Sequence, residues 1–260
     1  MLSFNGVRLA FADGVVLDQI DLEVRAGELV VLIGRSGCGK TTLLRLAAGT
    51  EQPSAGTLRN GFANASMVFQ EPRLLPWADA RDNAAFGLKA RGDARAERHA
   101  TAADILTRFG FSECDLGKRP AALSGGMQQR VAIARALAVA PDLVLMDEPF
   151  SALDVGLRQE LQALVRREVE RAGTAVLFVT HDLAEAVRLA DRIVVLSPRP
   201  SRVVAEVSQA PASDPGDIYE AAAALMRRPE VAAALAAPLR PIRAAVTPSP
   251  MAEVAPAAGE

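Results

Sequence analysis

The segment from Gly34 to Thr41 constrains the fold more than any other part of the sequence. It reads Gly-Arg-Ser-Gly-Cys-Gly-Lys-Thr, it follows the apolar run Leu29–Ile33, and it leads into the leucine-containing stretch 41–48. A strand, a glycine-rich loop and a helix in this order let backbone N–H groups surround phosphate oxygens. The pattern therefore predicts an ATP or GTP site, in which Lys40 reaches the β- and γ-phosphates and the Thr41 hydroxyl binds Mg²⁺.

Two adjacent acids follow a second apolar run. Leu143–Met146 reads as a buried strand, and Asp147 and Glu148 come directly after it. Ligands of open α/β sheets bind beyond the carboxyl ends of the strands, where these acids would lie. We expect Asp147 to hold Mg²⁺ and Glu148 to polarise the water that attacks the γ-phosphate. Two solvated acids in a loop are the alternative.

The remaining pattern predicts an α/β fold. Residues 2–33 contain short strand-like runs and turn signals, and residues 174–180 and 192–196 are further strand candidates. A helical stretch at 155–172 separates the apolar runs, which favours a mainly parallel sheet with flanking helices. The Ala- and Arg-rich segment beginning near residue 71 predicts a helical second lobe, and residues 218–227 predict a short helix near the end of the chain.

Composition excludes several classes of protein. The 29 Lys and Arg residues nearly balance the 31 Asp and Glu residues, so the net charge is −2 and nucleic acid is not the expected partner. The apolar runs are too short for a membrane span, and the N-terminus lacks the pattern of a secretory signal. The two cysteines, Cys38 and Cys114, are far apart, which favours a reducing cytoplasm. The positive potential of the loop amides and Lys40 predicts a reactive thiolate at Cys38, and the alternative is a small residue chosen only for its fit.

A longer motif narrows the choice among the kinases, GTPases, helicases and transporter ATPases that use phosphate loops. Leu-Ser-Gly-Gly-Met-Gln-Gln-Arg at residues 123–130, followed by Val-Ala-Ile-Ala-Arg-Ala-Leu, resembles the signature motif of ATP-binding cassette (ABC) ATPases. Ser124 is a good helix N-cap, and two glycines leave the first turn open to a phosphate. The resemblance implies that this helix end serves the ATP held by a second copy of the chain in a head-to-tail dimer.

The resemblance covers roughly residues 2–200 and implies roles for individual residues. Glu148, His181 and Gln70 would be catalytic, with Gln70 also sensing Mg²⁺ and linking the two lobes. Thr41, Gln70 and Asp147 would be the metal-binding residues. The residues expected to contact nucleotide are Phe11, Val16, Gly34, Ser36, Gly37, Cys38, Gly39, Lys40, Thr41, Thr42, Ser124, Gly125, Gly126, Gln128 and Asp154.

Two of these assignments have structural alternatives. Phe11 stands where the family usually has an adenine-stacking Tyr, and it could instead pack in the core. His181 alone would more often be a structural residue at a strand end. Asp182 and Glu185 are spaced like an N-cap and its N3 partner, so we expect them to start a helix.

The resemblance implies the fold class of a P-loop NTPase of the ABC ATPase type. We expect an ATPase domain over 1–207, with an N-terminal antiparallel β-subdomain, a mainly parallel sheet core and a helical signature subdomain at about 71–135. A short helical extension is expected at 208–240 and a disordered tail at 241–260, where large apolar residues are sparse.

Shorter segments point to a subfamily. Val-Phe-Gln-Glu-Pro-Arg-Leu-Leu-Pro-Trp at 68–77, Asp82-Asn83, and Ser-Pro-Arg-Pro at 197–200 resemble the nitrate, sulfonate and taurine importers. This implies an ATP-hydrolysing subunit that powers uptake of a small anion, peripheral on the cytoplasmic side of the inner membrane. Its partners would be an integral membrane permease and, indirectly, a solute-binding protein. The alternatives are a soluble ABC ATPase without a permease and a small-molecule kinase, which would not need the signature segment.

Overall fold

A computed structural model describes residues 1–212 and 214–236. The strands in this part of the chain are β1 Leu2–Phe11, β2 Gly14–Val24, β3 Leu29–Ile33, β4 Ala55–Asn60, β5 Ala65–Val68, β6 Leu143–Asp147, β7 Ala175–Thr180, β8 Arg192–Leu196 and β9 Val203–Ser208. The α-helices are α1 Lys40–Ala47, α2 Ala80–Ala84, α3 Phe86–Arg91, α4 Arg95–Arg108, α5 Glu113–Leu116, α6 Gly125–Ala138, α7 Val155–Ala172, α8 Leu183–Leu189, α9 Pro215–Met226 and α10 Pro229–Ala236.

The central sheet has the order β5-β6-β7-β3-β8-β9 and is parallel except for β9. Its middle strands are buried along almost their whole length, which explains why they read as continuous apolar runs. Ile33 pairs with Thr180, and Asp147 pairs with Val179, so β3, β6 and β7 end at nearly the same level. The segments that follow these three strands are therefore neighbours.

A smaller antiparallel sheet has the strand order β2-β1-β4. Strands β1 and β2 precede β3 in the chain, and β4 follows α1. Phe11 pairs with Gly14 across the predicted turn, so β1 and β2 form a hairpin. The mainly parallel core and the antiparallel sheet confirm the predicted fold class.

The helices α2 to α6 lie between β5 and β6 in sequence and contact one another through α2, α4 and α6. Their apolar core contains Leu106, Phe109, Leu116 and Ile133, all nearly inaccessible to solvent. Within the described residues, no helix combines the length and apolar character needed to cross a bilayer.

Two helices close the described part of the chain. Helix α9 packs against α8, and α10 packs against β9 and β8. The sequence predicted a single helix near 218–227, and α10 is an additional element whose start signals, Pro229 and Glu230, were missed. The tail predicted for 241–260 lies outside the described residues.

Candidate nucleotide site

The phosphate loop joins β3 to α1 and is held by the lysine that begins that helix. The Lys40 side chain is 5% exposed, and its Nζ donates to Gly34 O at 2.7 Å and to Arg35 O at 3.2 Å. At Gly39, φ is +113° and an added Cβ would lie 2.9 Å from Leu17 Cδ2. Only glycine meets both the conformation and the close packing, so the loop is fixed by its backbone as well as by Lys40.

The hydroxyl and carboxylate predicted to bind Mg²⁺ are neighbours. Thr41 Oγ1 donates to Asp147 Oδ1 at 3.1 Å, although the residues are 106 positions apart. Burial raises the pKa of Asp147, and the negative charge of Glu148 raises it further. Within the described residues, no three His, Cys, Asp or Glu side chains cluster as a metal cage. A hydroxyl and one carboxylate instead suit a Mg²⁺ ion that also binds phosphate oxygens and water.

Glu148 lies between two groups that can fix its carboxylate. Its Oε2 is 2.8 Å from His181 Nδ1, and its Oε1 is 3.8 Å from Lys40 Nζ. The Glu148 N–H donates to Val179 O at 3.0 Å, and the residue has a φ of +44°. A non-glycine residue at positive φ is uncommon and often marks a functional position.

Gln70 reaches the same region through one intermediate side chain. Its Nε2 donates to Ser151 Oγ at 3.3 Å, and Ser151 Oγ donates to Glu148 O at 3.0 Å. The residues that the resemblance made catalytic, Gln70, Glu148 and His181, therefore belong to one hydrogen-bonded group at the carboxyl ends of the sheet.

The signature segment forms a separate, exposed helix end. Ser124 is the N-cap of α6, and its Oγ accepts from Met127 N at 3.2 Å. The Gln128 side-chain amide donates to Pro120 O and Leu123 O, which holds the preceding turn. Among the hydrogen bonds of the described residues, none joins this segment to the phosphate loop. The signature segment and the phosphate loop are thus two separate glycine-containing helix starts in one copy of the chain.

Three further predicted contacts lie at the end of β1, on β2 and at the start of α7. Phe11 ends β1 with 43% exposure, so the alternative that it packs in the core is wrong. Val16 is buried, and its Cγ1 would lie 3.1 Å from a Cβ at Gly39. Asp154 caps α7, with its Oδ1 accepting from Leu157 N at 3.0 Å.

The expectation of a reactive thiolate at Cys38 is wrong. The side chain is 2% exposed, and burial raises the pKa of its thiol despite the nearby charge of Lys40. Desolvation disfavours the charged thiolate more than the lysine stabilises it. The loop sequence could not reveal this, because the burial comes from residues distant in the chain.

The pair Asp182 and Glu185 divides its roles. Asp182 caps α8 and accepts from Ala184 N at 2.8 Å, as predicted. The Glu185 side chain instead accepts from Gln162 Nε2 at 2.7 Å, and burial raises the pKa of this carboxyl. Glu185 is therefore a buried link between α7 and α8, not a reciprocal cap.

Arg158 is a contact residue of this region that sequence reasoning missed. Its Nη2 donates to Leu153 O at 2.9 Å, and its Nη1 lies 3.5 Å from Asp182 Oδ2. It connects the loop before α7 to the start of α8, just after His181. An arginine one turn after the Asp154 cap was the available signal, but its partners are far away in sequence.

A second missed residue, Arg135, braces the segment after Gln70. Its guanidinium donates to Arg73 O at 2.9 Å and to Pro72 O at 2.8 Å. Gln129, also on α6, donates to Phe69 O at 3.5 Å. Helix α6 therefore carries the signature segment at its start and holds the Gln70 segment along its length.

Comparisons with known proteins agree with this geometry. A family model described as "ABC transporter" matches residues 17–151. The taurine import ATP-binding protein TauB of Sinorhizobium fredii is 45% identical, over 82% of this chain and 85% of that protein. The aliphatic sulfonates import ATP-binding protein SsuB 1 of Mesorhizobium japonicum is 48% identical, over 75% of each.

Solved structures with a similar fold are ATP-binding cassettes. The dimeric structure of MJ0796, described as a bacterial ABC transporter cassette, is 29% identical with a TM-score of 0.73 and covers 82% of this chain and 100% of its own. A dimeric post-hydrolysis state of MJ0796 bound to ADP and phosphate has a TM-score of 0.72 at 28% identity, with the same coverage.

Proposed function

This chain belongs to the ABC transporter family, and on that premise we propose that it powers uptake of a small organosulfonate through a separate membrane permease. It is an ATP-binding and ATP-hydrolysing subunit that works as a dimer. Its catalytic domain spans 1–207 with the helical subdomain at about 71–135, and 208–240 forms an extension. The chain acts on the cytoplasmic side of the inner membrane.

The dimer completes two nucleotide sites. The phosphate loop of one copy holds ATP, and Ser124, Gly125 and Gly126 of the other copy close over its phosphates. This division is supported by the exposure of Ser124 and Gly125, which leaves the start of the signature helix open to a second copy. A helix N-terminus with bare glycines suits a γ-phosphate because its N–H groups and its dipole both face the anion. Gln128 and Asp154 contribute from the same side of the interface.

In the closed site, each group near Glu148 has a distinct task. Lys40 turns from the loop carbonyls to the phosphates, where its charge stabilises the transferring phosphoryl group. Glu148 accepts a hydrogen bond from the attacking water and aims it at the γ-phosphate. His181 is hydrogen-bonded to Glu148 at 2.8 Å and also faces that phosphate, so it keeps water and phosphate aligned. Phe11 and Val16 contact the base and sugar.

Thr41, Asp147 and Gln70 hold Mg²⁺ together with the ATP phosphates. When bound, the ion neutralises charge on the β- and γ-phosphates. Asp147 must be ionised to bind it, and the favourable contact with the cation offsets the cost of charging a buried carboxyl. Gln70 also links this site to the segment that follows it.

The observation that favours a permease partner is an exposed groove beyond Gln70 that combines large apolar side chains with the charged side chains of Asp82, Lys89, Arg95 and Arg98. Trp77 is 72% exposed and Phe86 is 49% exposed, and both line a groove of about 480 Å³ together with Leu75. Isolated soluble enzymes rarely expose several large apolar side chains together, whereas a groove of this type can receive a short helix. Trp77 therefore does not pack in the core of the helical lobe.

Asn83, from the Asp82-Asn83 subfamily motif, fixes the backbone of the turn that lines this groove. It is fully buried, and its Oδ1 accepts from Leu75 N at 2.8 Å. Its Nδ2 donates to Leu75 O, Ala78 O and Asp79 O at 3.0 to 3.1 Å. The turn that presents Trp77 is therefore rigid, as a surface that transmits movement from the nucleotide requires.

The solute assignment rests on the relatives alone, because no part of a cassette needs to contact the solute. Taurine and aliphatic sulfonates are named in the relatives described above, and we extend that class to this chain. A solute-binding protein outside the membrane would complete the system. Nitrate-type anions are the second solute class to test.

Deletion of the gene should abolish growth on taurine or an alkanesulfonate as the only sulfur source, and growth on sulfate should be unaffected. Loss of growth on nitrate as the only nitrogen source, with normal growth on sulfonates, would instead assign the nitrate-type solute. Detergent extraction should recover the chain with a polytopic membrane protein. A chain that is recovered only alone would favour a soluble ABC ATPase.

Substitutions in the groove test the coupling surface. Leu75→Ser and Trp77→Ala should lower transport and permease recovery, while the isolated chain keeps its melting temperature and basal hydrolysis. Tyr219→Ala is the matched control, because Tyr219 is 73% exposed on α9, away from the groove. Equal transport in the Trp77 and Tyr219 variants would place coupling elsewhere.

A further inference from the structure

The turn after β8 contains the Ser-Pro-Arg-Pro motif at residues 197–200, to which the proposed function assigns no role. Ser197 N donates to Arg202 O at 3.0 Å, and Arg202 N donates to Ser197 Oγ at 3.0 Å. These two bonds close the turn upon itself. They leave Ser201, on its last part, facing the interior of the protein with no exposed surface.

The backbone of Ser201 is fixed to β2. Its N–H donates to Val16 O at 2.9 Å, and its carbonyl accepts from Asp18 N at 2.9 Å. The side chain of Arg202 also pairs with the Asp18 carboxylate. The turn is therefore anchored to the strand whose Val16 and Leu17 pack on Gly39 of the phosphate loop.

The side chain of Ser201 then reaches the phosphate loop itself. Its hydroxyl is within hydrogen-bonding distance of Cys38 O, 163 positions earlier in the chain, and of Ser197 O at 3.0 Å. A hydroxyl has one proton, so it donates to these carbonyls in turn or shares the proton between them. Cys38 O thereby has a buried hydroxyl donor that comes from the 197–202 turn.

The geometry of the peptide bond gives this contact a consequence. The carbonyl of Cys38 and the N–H of Gly39 belong to one planar trans peptide and point in opposite directions. A donor that holds Cys38 O towards Ser201 therefore turns the Gly39 N–H away from Ser201, towards the concave side of the loop. N–H groups on that side are the ones that bind phosphate oxygens.

We infer that Ser201 is a positioning residue for the phosphate loop, which fixes the Cys38–Gly39 peptide in the orientation that binds nucleotide phosphates. The 197–202 turn carries this hydroxyl from β8 to the loop. The inference rests on the proposed nucleotide site, and it concerns affinity for ATP and ADP rather than the chemical step. Both nucleotides should be affected, because both place a β-phosphate in the loop.

The test compares three variants of the full chain. Ser201→Ala removes the donor, Ser201→Thr keeps a hydroxyl, and Ser197→Ala disturbs the same turn without removing a side chain that contacts the loop. Steady-state hydrolysis gives KM and kcat for ATP, a fluorescent ADP analogue gives Kd, and thermal unfolding gives Tm. We expect Ser201→Ala to raise KM for ATP and Kd for ADP about five- to tenfold, the range of one neutral hydrogen bond.

The pattern across the variants separates positioning from a purely structural role. The inference predicts that kcat at saturating ATP stays within about twofold of the parent and that the threonine restores affinity, since a residue acting only on binding changes KM and not kcat. Ser197→Ala should keep the parental KM. An unchanged KM and Kd in folded Ser201→Ala would overturn the inference. Equal shifts in Ser197→Ala would do so too, as would loss of folding in both Ser201 variants, which would make Ser201 a residue of the core alone.

Failure of transport would be recognised separately. Nucleotide affinity is measured on the chain without permease or solute, so the Ser201 result stands or falls independently of which solute is imported. A shift in affinity together with normal growth of the gene deletion on sulfonates would overturn the sulfonate assignment and leave the role of Ser201 intact.

Discussion

Two glycine-containing segments precede helices in this chain, and the two differ in how far their own chain buries them. The phosphate loop before α1 is packed on β2 and held by Lys40, whose side chain is 5% exposed. The signature segment before α6 is exposed at Ser124 and Gly125, and its own serine supplies the cap that satisfies Met127 N. One helix end is enclosed by its own chain, and the other is not.

The glycines explain the same difference in steric terms. Gly39 has a positive φ and close neighbours, so the enclosed loop requires glycine for its own conformation. A Cβ at Gly125 would meet no atom within 4 Å. The packing of its own chain therefore does not require glycine at position 125. A surface that approaches the nucleotide of a second copy would require it, because a side chain there would stand between the two.

The largest effect is expected at the enclosed segment. Lys40→Ala should lower hydrolysis about 1,000-fold and weaken ATP binding strongly, because the side chain serves both as a brace of the loop and as a ligand of the phosphates. Equilibrium binding and phosphate release measure the two effects. Lys118→Ala, which removes an exposed lysine paired with Asp115, is the control. Tight ATP binding by Lys40→Ala would place the nucleotide elsewhere.

The second-largest effect is expected at Glu148, and it tests whether the phosphate loop of one copy and the signature segment of the other contact the same nucleotide. Glu148→Gln should lower hydrolysis about 100- to 1,000-fold because the water loses its acceptor, while ATP binding is kept. The nucleotide-bound dimer should then accumulate, which brings each signature segment onto the other copy's ATP. Size-exclusion chromatography with Mg-ATP gives the measurement.

Glu206→Gln, at an exposed pair with Arg192, is the control for this carboxylate. A Glu148→Gln protein that hydrolyses at the parental rate would remove the residue from its assigned role. A protein that binds ATP but stays monomeric would break the link between the two helix ends.

The third prediction compares neighbouring glycines within the signature. Gly126 is buried, and a Cβ there would lie 2.3 Å from the terminal methyl Cδ2 of Leu157, which would have to shift, so Gly126→Ala should melt about 2–4 °C below Gly125→Ala. Gly125→Ala has room for its methyl group and should leave the melting temperature unchanged, yet lower hydrolysis about tenfold by obstructing the second copy. Differential scanning calorimetry and hydrolysis assays separate the two. Full activity of Gly125→Ala would mean that this surface stays open in the dimer.

Much of the fold could be predicted because its signals are local. Leu29–Ile33 and residues 143–146 read as buried strands, and the structure has β3 and β6 at those positions. Ser124 could be recognised as a cap because capping depends on the next few residues. The family motifs added the expected roles of Glu148 and His181. Glu148 Oε2 and His181 Nδ1 lie 2.8 Å apart.

Contacts between distant parts of the chain could not be predicted in this way. The Ser201 hydroxyl meets a carbonyl 163 residues away, and Arg158 joins two loops by side-chain bonds that leave no periodic pattern. The prediction of an ionised thiol at Cys38 was wrong for the same reason. The loop sequence reveals the charge of Lys40 but not the burial that outweighs it. Burial is a property of the folded chain.

The smallest effect should be a gain in stability at Asp147, the last residue of β6, which contacts Thr41 beside the enclosed segment. Burial raises the pKa of Asp147, so the folded protein binds its proton more tightly than the unfolded chain does. Asp147→Asn removes the charge and keeps an oxygen that can accept from Thr41 Oγ1. Without nucleotide near neutral pH, the variant should melt about 2–4 °C higher than the parent, even though it binds Mg-ATP poorly.

The sign of the pH dependence follows from the raised pKa. The parent loses stability as the pH rises from the ordinary aspartate value through the raised folded value, because the folded state must then hold a desolvated charge. The advantage of Asp147→Asn should therefore be full above the folded pKa and vanish below the ordinary one. Asp104→Asn, at a carboxylate that is 69% exposed, should show no such advantage. A lower melting temperature for Asp147→Asn, or a gain that persists in acid, would mean that the charge of Asp147 does not destabilise the site beside the phosphate loop and that the contrast with the signature segment is steric alone.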